Sequence, residues 1–121
     1  MAYKGPYKRP QMGRKGNCME QQTLRKGTQL TITLGGELDH HNAASLRQSI
    51  DALLQDKSIT ELVFDMKTVT FMDSSGIGLL LGRYRLMTER GGKLSIHGAN
   101  RYVERMIKMA GLSPLLQKQA R

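Results

Sequence analysis

The sequence predicts an α/β fold, a small mixed sheet of about four or five strands with helices packed mainly on one face. Three observations predict it. Leu30, Ile32 and Leu34 alternate with Thr31 and Thr33, the period-2 signature of a half-buried strand. Leu62-Val63-Phe64 lies in a near-continuous apolar run at 59–66, which suits a parallel strand covered on both faces. Between and after these segments the apolar residues switch to helical spacing, and parallel strands require such crossover helices with right-handed connections.

Taken in order, Thr23–Lys26 and the Leu30–Leu34 strand form a hairpin around the Gly27-Thr28 turn, and the second strand ends at Gly35-Gly36. Leu46, Ile50, Leu53 and Leu54 then recur on one helical face, with Asn42 as the expected N-cap. The 59–66 strand follows. A second helix begins beyond Asp73, turns Ile77, Leu80, Leu81, Tyr84 and Met87 inward, and stops at Gly91-Gly92. Leu94 and Ile96 form the last central strand, ending at Gly98. Asn100 caps a final helix with Val103, Met106, Ile107 and Ala110 inward, and Leu115 and Leu116 make a closing turn against the sheet. In open α/β sheets, sites gather beyond the carboxyl ends of the strands. Gly36–His41, Met72–Ser75 and His97–Asn100 are therefore expected to share one rim.

The chain of 121 residues has room for one core, rich in aliphatic side chains and 8 Met, with no Trp. The apolar stretch around Leu79 is too short to span a bilayer. The N-terminus lacks the apolar segment of a secretory signal, and the single Cys18 fits a reducing compartment. The expected location is cytoplasmic. Of the net charge of +9, residues 1–18 supply +5 through Lys4, Lys8, Arg9, Arg14 and Lys15. This aperiodic stretch reads as a basic disordered extension or as translated leader, with 19–121 as a single domain. The leader reading is preferred: Met19 stands where the patterned sequence begins, and Gly13-Arg14-Lys15-Gly16 can be encoded by a purine stretch resembling a ribosome-binding site. As a real extension it reads as a basic arm that touches nucleic acid or anionic lipid. It has no apolar helical face, so no membrane insertion is expected, and on the preferred leader reading no direct nucleic-acid partner is expected.

The most informative step is Asp73-Ser74-Ser75-Gly76, where strand pattern gives way to helix. Asp and Ser are preferred N-caps, but one cap uses one residue and leaves a hydroxyl spare. Gly76 and Gly78 each cost a helix roughly 1 kcal/mol relative to Ala, and are read as leaving bare backbone for close approach by another molecule. A helix N-terminus favours negative charge, so a phosphate on Ser74 or Ser75 would be tolerated by the fold. Capping and dipole arguments do not separate the two serines.

Other chemistries fit less well. A nucleophile elbow needs glycine two residues before its serine, where Met72 and Asp73 stand. Gly76, Gly78 and Gly82 form a spacing one residue too long for a dinucleotide fingerprint, and no Walker lysine follows Gly82. His40-His41 beside Asp39 has no partner pair at zinc-site spacing. Arg83 and Arg85 read as a solvated helix face. No cofactor or metal is expected.

GGELDHHNA at 35–43, FMDSSGIGLLLGRY at 71–84 and GGKLSIHGAN at 91–100 resemble the STAS domain of bacterial anti-anti-sigma factors. GELDHH with MDSSGIG and LGRY is most similar to the sporulation branch, the sigma-F antagonists. The resemblance covers residues 20–117. It implies a non-enzymatic switch that, when unphosphorylated, binds an anti-sigma factor that is also a serine kinase and so releases the sigma factor. It implies phosphorylation at the first serine of the motif, Ser74, with ATP as the kinase's cofactor and a serine phosphatase reversing the change. Glu37, Asp39, Asp73, Ser74, Ser75 and Gly76 become the partner-binding candidates, with Asp73 shaping the acceptor loop or acting only as a cap. The alternatives are an antagonist serving a general-stress sigma factor or, less well matched, a small nucleotide-binding protein.

Overall fold

The computed structural model describes residues 20–117; the basic segment 1–18 and Met19 lie outside the described residues. The elements are β1 (Glu20–Lys26), β2 (Gln29–Leu38), α1 (His40–Leu53), β3 (Glu61–Met72), α2 (Ser74–Glu89), β4 (Lys93–His97), α3 (Arg101–Met109) and a 3₁₀ turn at Ser113–Leu115. The strands form one mixed sheet in the order β1-β2-β3-β4. β1 is antiparallel to β2, while β2–β3 and β3–β4 are parallel.

Register explains the core. Leu30, Leu62 and Leu94 stand in one row across the three central strands, and Ile32, Phe64 and Ile96 in the next. All six are buried and belong to a single cluster with Leu46 and Ile50 of α1, Leu79, Leu80 and Met87 of α2, and Val103 and Ile107 of α3. The alternate positions, Thr31, Thr33, Asp65, Ser95 and His97, lie on the other face and are half-buried or exposed. Helices thus cover one face, while on the other Val63 of the central strand is nonetheless buried, at 9% exposure. Val63, the middle residue of the apolar run, points to the open side, where it lines a shallow depression with Thr31, Asp65, Lys67, His97 and Gly98.

β2 and β3 run past their expected ends, to Leu38 and Met72. β3 carries an extra residue at each of two register shifts, between Thr33/Gly35 and Gly36/Glu37. Such bulges interrupt the ladder, and threonine hydroxyls repair it. Thr68 Oγ1 donates to the Leu34 carbonyl at 3.1 Å and Thr70 Oγ1 to the Gly36 carbonyl at 3.2 Å. Polar residues at the bulges hide the strand from a period-2 reading.

The helices bring further corrections. Asp39, not Asn42, caps α1; the Asn42 side-chain amide instead donates to the Glu37 carbonyl at 2.7 Å. On α2, Leu80 and Met87 are buried as expected and Ile77 and Leu81 pack half-buried against the core. Gly76 and Leu79 are buried with them, and the correction is Tyr84, which is 36% exposed. Arg83 is no solvated residue: its side chain is 11% exposed and its Nε lies 3.2 Å from Asp51 Oδ1 on α1. The α2 stop is as expected, with Gly91 at φ 78° and the Gly92 N–H donating to the Met87 carbonyl at 2.8 Å. The closing turn also forms, with Leu116 bridging Ile96. Among the described residues, no helix is long and apolar enough to cross a membrane.

Candidate functional site

Leu38 and Met72, the last residues of β2 and β3, face each other in register. The next residue in each strand, Asp39 or Asp73, caps the helix that follows. Asp39 Oδ1 accepts from the His41 and Asn42 N–H groups at 3.0 and 3.2 Å. Asp73 Oδ1 accepts from the Ser75 N–H at 2.8 Å, and the Asp73 N–H donates to the Leu38 carbonyl at 3.3 Å. Two helix N-termini therefore open side by side on one rim, each concentrating positive potential.

This division of labour leaves Ser74 idle. Asp73 supplies the cap, Ser74 is the first helical residue and is exposed, and Ser75 is half-buried. Among the described residues neither serine hydroxyl has a hydrogen-bond partner. An exposed hydroxyl at a helix N-terminus can accept a phosphoryl group and hold the resulting anion in a favourable field.

Gly76 has an internal explanation. It is buried, and an added Cβ would meet the Met72 side chain and come within 2.9 Å of the Leu38 carbonyl. The missing side chain lets the first turn of α2 sit on the strand ends, so its surface is not bared for another molecule. Gly78, by contrast, is exposed, with nothing within 4 Å of an added Cβ.

Glu37 is half-buried and stands in register beside Phe71. The Asp39 side chain is 16% exposed, its Oδ2 3.9 Å from His41 Nδ1. His40 and His41 are the first residues of α1, exposed, with ring centroids 4.1 Å apart. Among the described residues, no group of three His, Cys, Asp or Glu side chains is placed to hold a metal ion.

The third segment expected on the rim is set back. β4 ends opposite Asp65, well short of Met72. The outer part of β3 is held instead by the start of α3: Asn100 Nδ2 donates to the Val69 carbonyl at 3.1 Å, and the Tyr102 hydroxyl to the Met72 carbonyl at 2.8 Å. Asn100 also caps α3, as expected, accepting from the Val103 N–H at 2.8 Å. Tyr102 and Phe71, missed in the sequence, stack at 6.1 Å beside the acceptor loop. Nothing in the local pattern of Arg101-Tyr102 points to a carbonyl 30 residues earlier.

Comparison with known proteins places this geometry in context. The STAS domain family matches residues 20–120. Over 87 residues, 72% of this chain and 74% of the relative, the chain is 38% identical to the anti-sigma F factor antagonist of Paenibacillus polymyxa. It is 25% identical over 92 residues, 76% of this chain and 83% of the relative, to the anti-sigma-B factor antagonist of Bacillus subtilis (strain 168). The solved structure of the anti-sigma factor antagonist SpoIIAA in its unphosphorylated form matches with a TM-score of 0.76 and 28% identity, covering 84% of this chain and 90% of that one. The Bacillus cell fate determinant SpoIIAA in its phosphorylated form gives 0.71 and 27%, covering 84% and 93%.

Proposed function

The chain belongs to the STAS domain family, and from that premise we propose that it is an anti-sigma factor antagonist switched by phosphorylation of Ser74. One observation carries the choice of residue: Asp73 provides the helix cap, so the Ser74 hydroxyl is exposed and structurally unemployed. Two relatives of known structure support a switch of this kind, since one is the unphosphorylated and the other the phosphorylated form of SpoIIAA.

In the unphosphorylated state the rim of Glu37, Asp39 and the Asp73–Ser75 turn docks on an anti-sigma factor that is also a serine kinase, and the sigma factor is released. The Ser74 oxygen then attacks the γ-phosphorus of the kinase's ATP, a new O–P bond forms, ADP leaves, and the hydroxyl proton passes to the kinase's base. The product carries roughly −1.5 to −2 charges where the interface had a neutral hydroxyl, and desolvation and repulsion separate the pair. A serine phosphatase restores the hydroxyl. The chain itself is substrate and regulator, without catalytic work of its own, and acts in the cytoplasm.

The controlled factor is the sporulation sigma factor F, favoured by the 38% identity to a sigma-F antagonist over 25% to a sigma-B antagonist. A general-stress sigma factor is the second reading. The test mixes the purified chain with the anti-sigma factors of its own organism, labelled ATP and each sigma factor. Label on Ser74, absent from Ser74→Ala, with release of sigma F supports the proposal. Label with release of another sigma factor selects the second reading, and no label or release from any anti-sigma factor overturns both.

A further inference from the structure

The described residues include five large apolar side chains left exposed; two of them, Phe71 and Tyr102, lie beside the Ser74 turn, and a third, Met109, continues their side along α3. Phe71 is 40% exposed and Tyr102 46%, their rings stacked at 6.1 Å. Met109, 78% exposed, lies seven residues beyond Tyr102 on the same side of α3. Arg101, Arg105 and Lys108 are exposed on the adjoining face of that helix. Among the described residues none of the three has a salt-bridge partner. The stripe joins the acceptor loop directly, because the Tyr102 hydroxyl is bonded to the Met72 carbonyl, two residues before Ser74.

We propose that this stripe is the second half of the partner-docking surface, and that it receives an apolar face of the anti-sigma factor flanked by carboxylates. The inference rests on the function proposed above and names the additional contact residues and the chemistry they meet. A specific interface buries about 800 Å² on each partner, equivalent to a disc of roughly 16 Å radius. A kinase that engages the Ser74 hydroxyl cannot confine such a footprint to the capping turn, where Gly76 is buried and Asp39 and Asp73 are occupied as caps. The aromatic pair lies within reach, is tied to the strand end by the Tyr102 hydroxyl, and offers the amphipathic area that carries binding energy at interface centres. The unpaired cations along its edge select a partner of opposite charge and speed its approach.

The test measures affinity of full-length variants for the purified anti-sigma factor of the same organism, with melting temperature as the control for folding. Met109→Glu and Arg105→Glu alter exposed side chains and leave the fold intact, so they remain informative if Tyr102→Ala unfolds. Tyr102→Ala and Met109→Glu are expected to weaken binding by about tenfold or more. Arg105→Glu should weaken it less and flatten its dependence on salt. Tyr102→Phe, which keeps the ring and loses only the bond to the Met72 carbonyl, should bind more tightly than Tyr102→Ala. Unchanged affinity in Met109→Glu and Arg105→Glu, while the parent binds and is phosphorylated on Ser74, would overturn the docking stripe alone. A parent that neither binds nor is phosphorylated would instead overturn the switch on which it rests.

Discussion

Asp39 and Asp73 hold equivalent positions on adjacent parallel strands and cap their helices with nearly the same backbone geometry. Asp39 has φ −121° and ψ −176°, and Asp73 φ −117° and ψ −169°. The Leu38–Met72 pairing fixes the two caps side by side, so both helix N-termini look out over one rim. The repetition separates holding the helix from presenting a hydroxyl. Each aspartate does the first task, and of the two helices α2 alone begins on a serine, which serves the second.

Removing either cap should cost about 1 kcal/mol of stability, within a range of roughly 0.5–2 kcal/mol. Urea denaturation of Asp39→Ala and Asp73→Ala would measure it, and Asp→Asn at either site should lose much less because the amide oxygen still accepts. The variants should differ in function. Asp73→Ala loosens the turn that carries Ser74 and should lower its phosphorylation, whereas Asp39→Ala should alter phosphorylation less at a matched loss of stability.

Two glycines in one helix should respond to alanine with opposite signs. At Gly76 the new methyl meets Met72 and the Leu38 carbonyl, and overpacking of this kind costs typically about 1–3 kcal/mol. At Gly78 the methyl enters open space, and the helix gains up to roughly 1 kcal/mol from propensity. Urea midpoints moving in the same direction would refute the packing assigned to Gly76.

The Gly76 result also shows what the sequence could and could not convey. Alternation in β2, the helical spacing of α3 and the Asn100 cap were all legible because they depend on near neighbours. The same local logic found the acceptor turn at Asp73–Ser75. It failed where distant segments decide the outcome. The outer half of β3 is held by Thr68 and Thr70 bonding across to β2, and its alternation is broken by the bulges. Arg83 has the composition of a surface residue, and only the packing of α1 against α2 brings Asp51 to it. Tyr102 belongs to the site because α3 crosses the end of β3, which no spacing within residues 101–109 encodes.

Stability should carry an acid-sensitive component from Asp56. Its carboxyl is held well below the usual carboxylate range, first by the Ser58 hydroxyl, then by the Arg25 guanidinium and the Ser58 N–H. A carboxyl that is more acidic in the folded chain stabilises the fold above its unfolded pKa, near 4, and loses that contribution as pH falls through the folded value. Asp56→Asn should therefore melt lower than the parent at neutral pH, with the gap closing as the pH is taken toward about 2. The Asp56 side chain is exposed to solvent, so added salt should narrow the gap at neutral pH. A gap independent of pH would assign the loss to packing.

The decisive variants are at Ser74. Its side chain is exposed and hydrogen-bonds to nothing among the described residues, so replacing it should barely disturb the fold. Ser74→Ala should keep its melting temperature within about 2–4 °C, what a surface substitution of at most about 0.5 kcal/mol allows in a domain of this size. It should also retain anti-sigma factor binding while accepting no phosphate. Ser74→Asp puts an anion at the first helical position, where the dipole favours it by about 0.3–1 kcal/mol. Its stability should hold or rise slightly while partner binding weakens, because the same charge must be desolvated when the interface closes. Ser75→Ala should still be phosphorylated, since the Ser75 N–H that receives the cap remains. Calorimetry for the fold, titration for binding and fragment mass spectrometry for the phosphate separate the three effects. A Ser74→Asp chain that unfolds would make this serine structural, and phosphate found on Ser75 in the parent would move the switch by one residue.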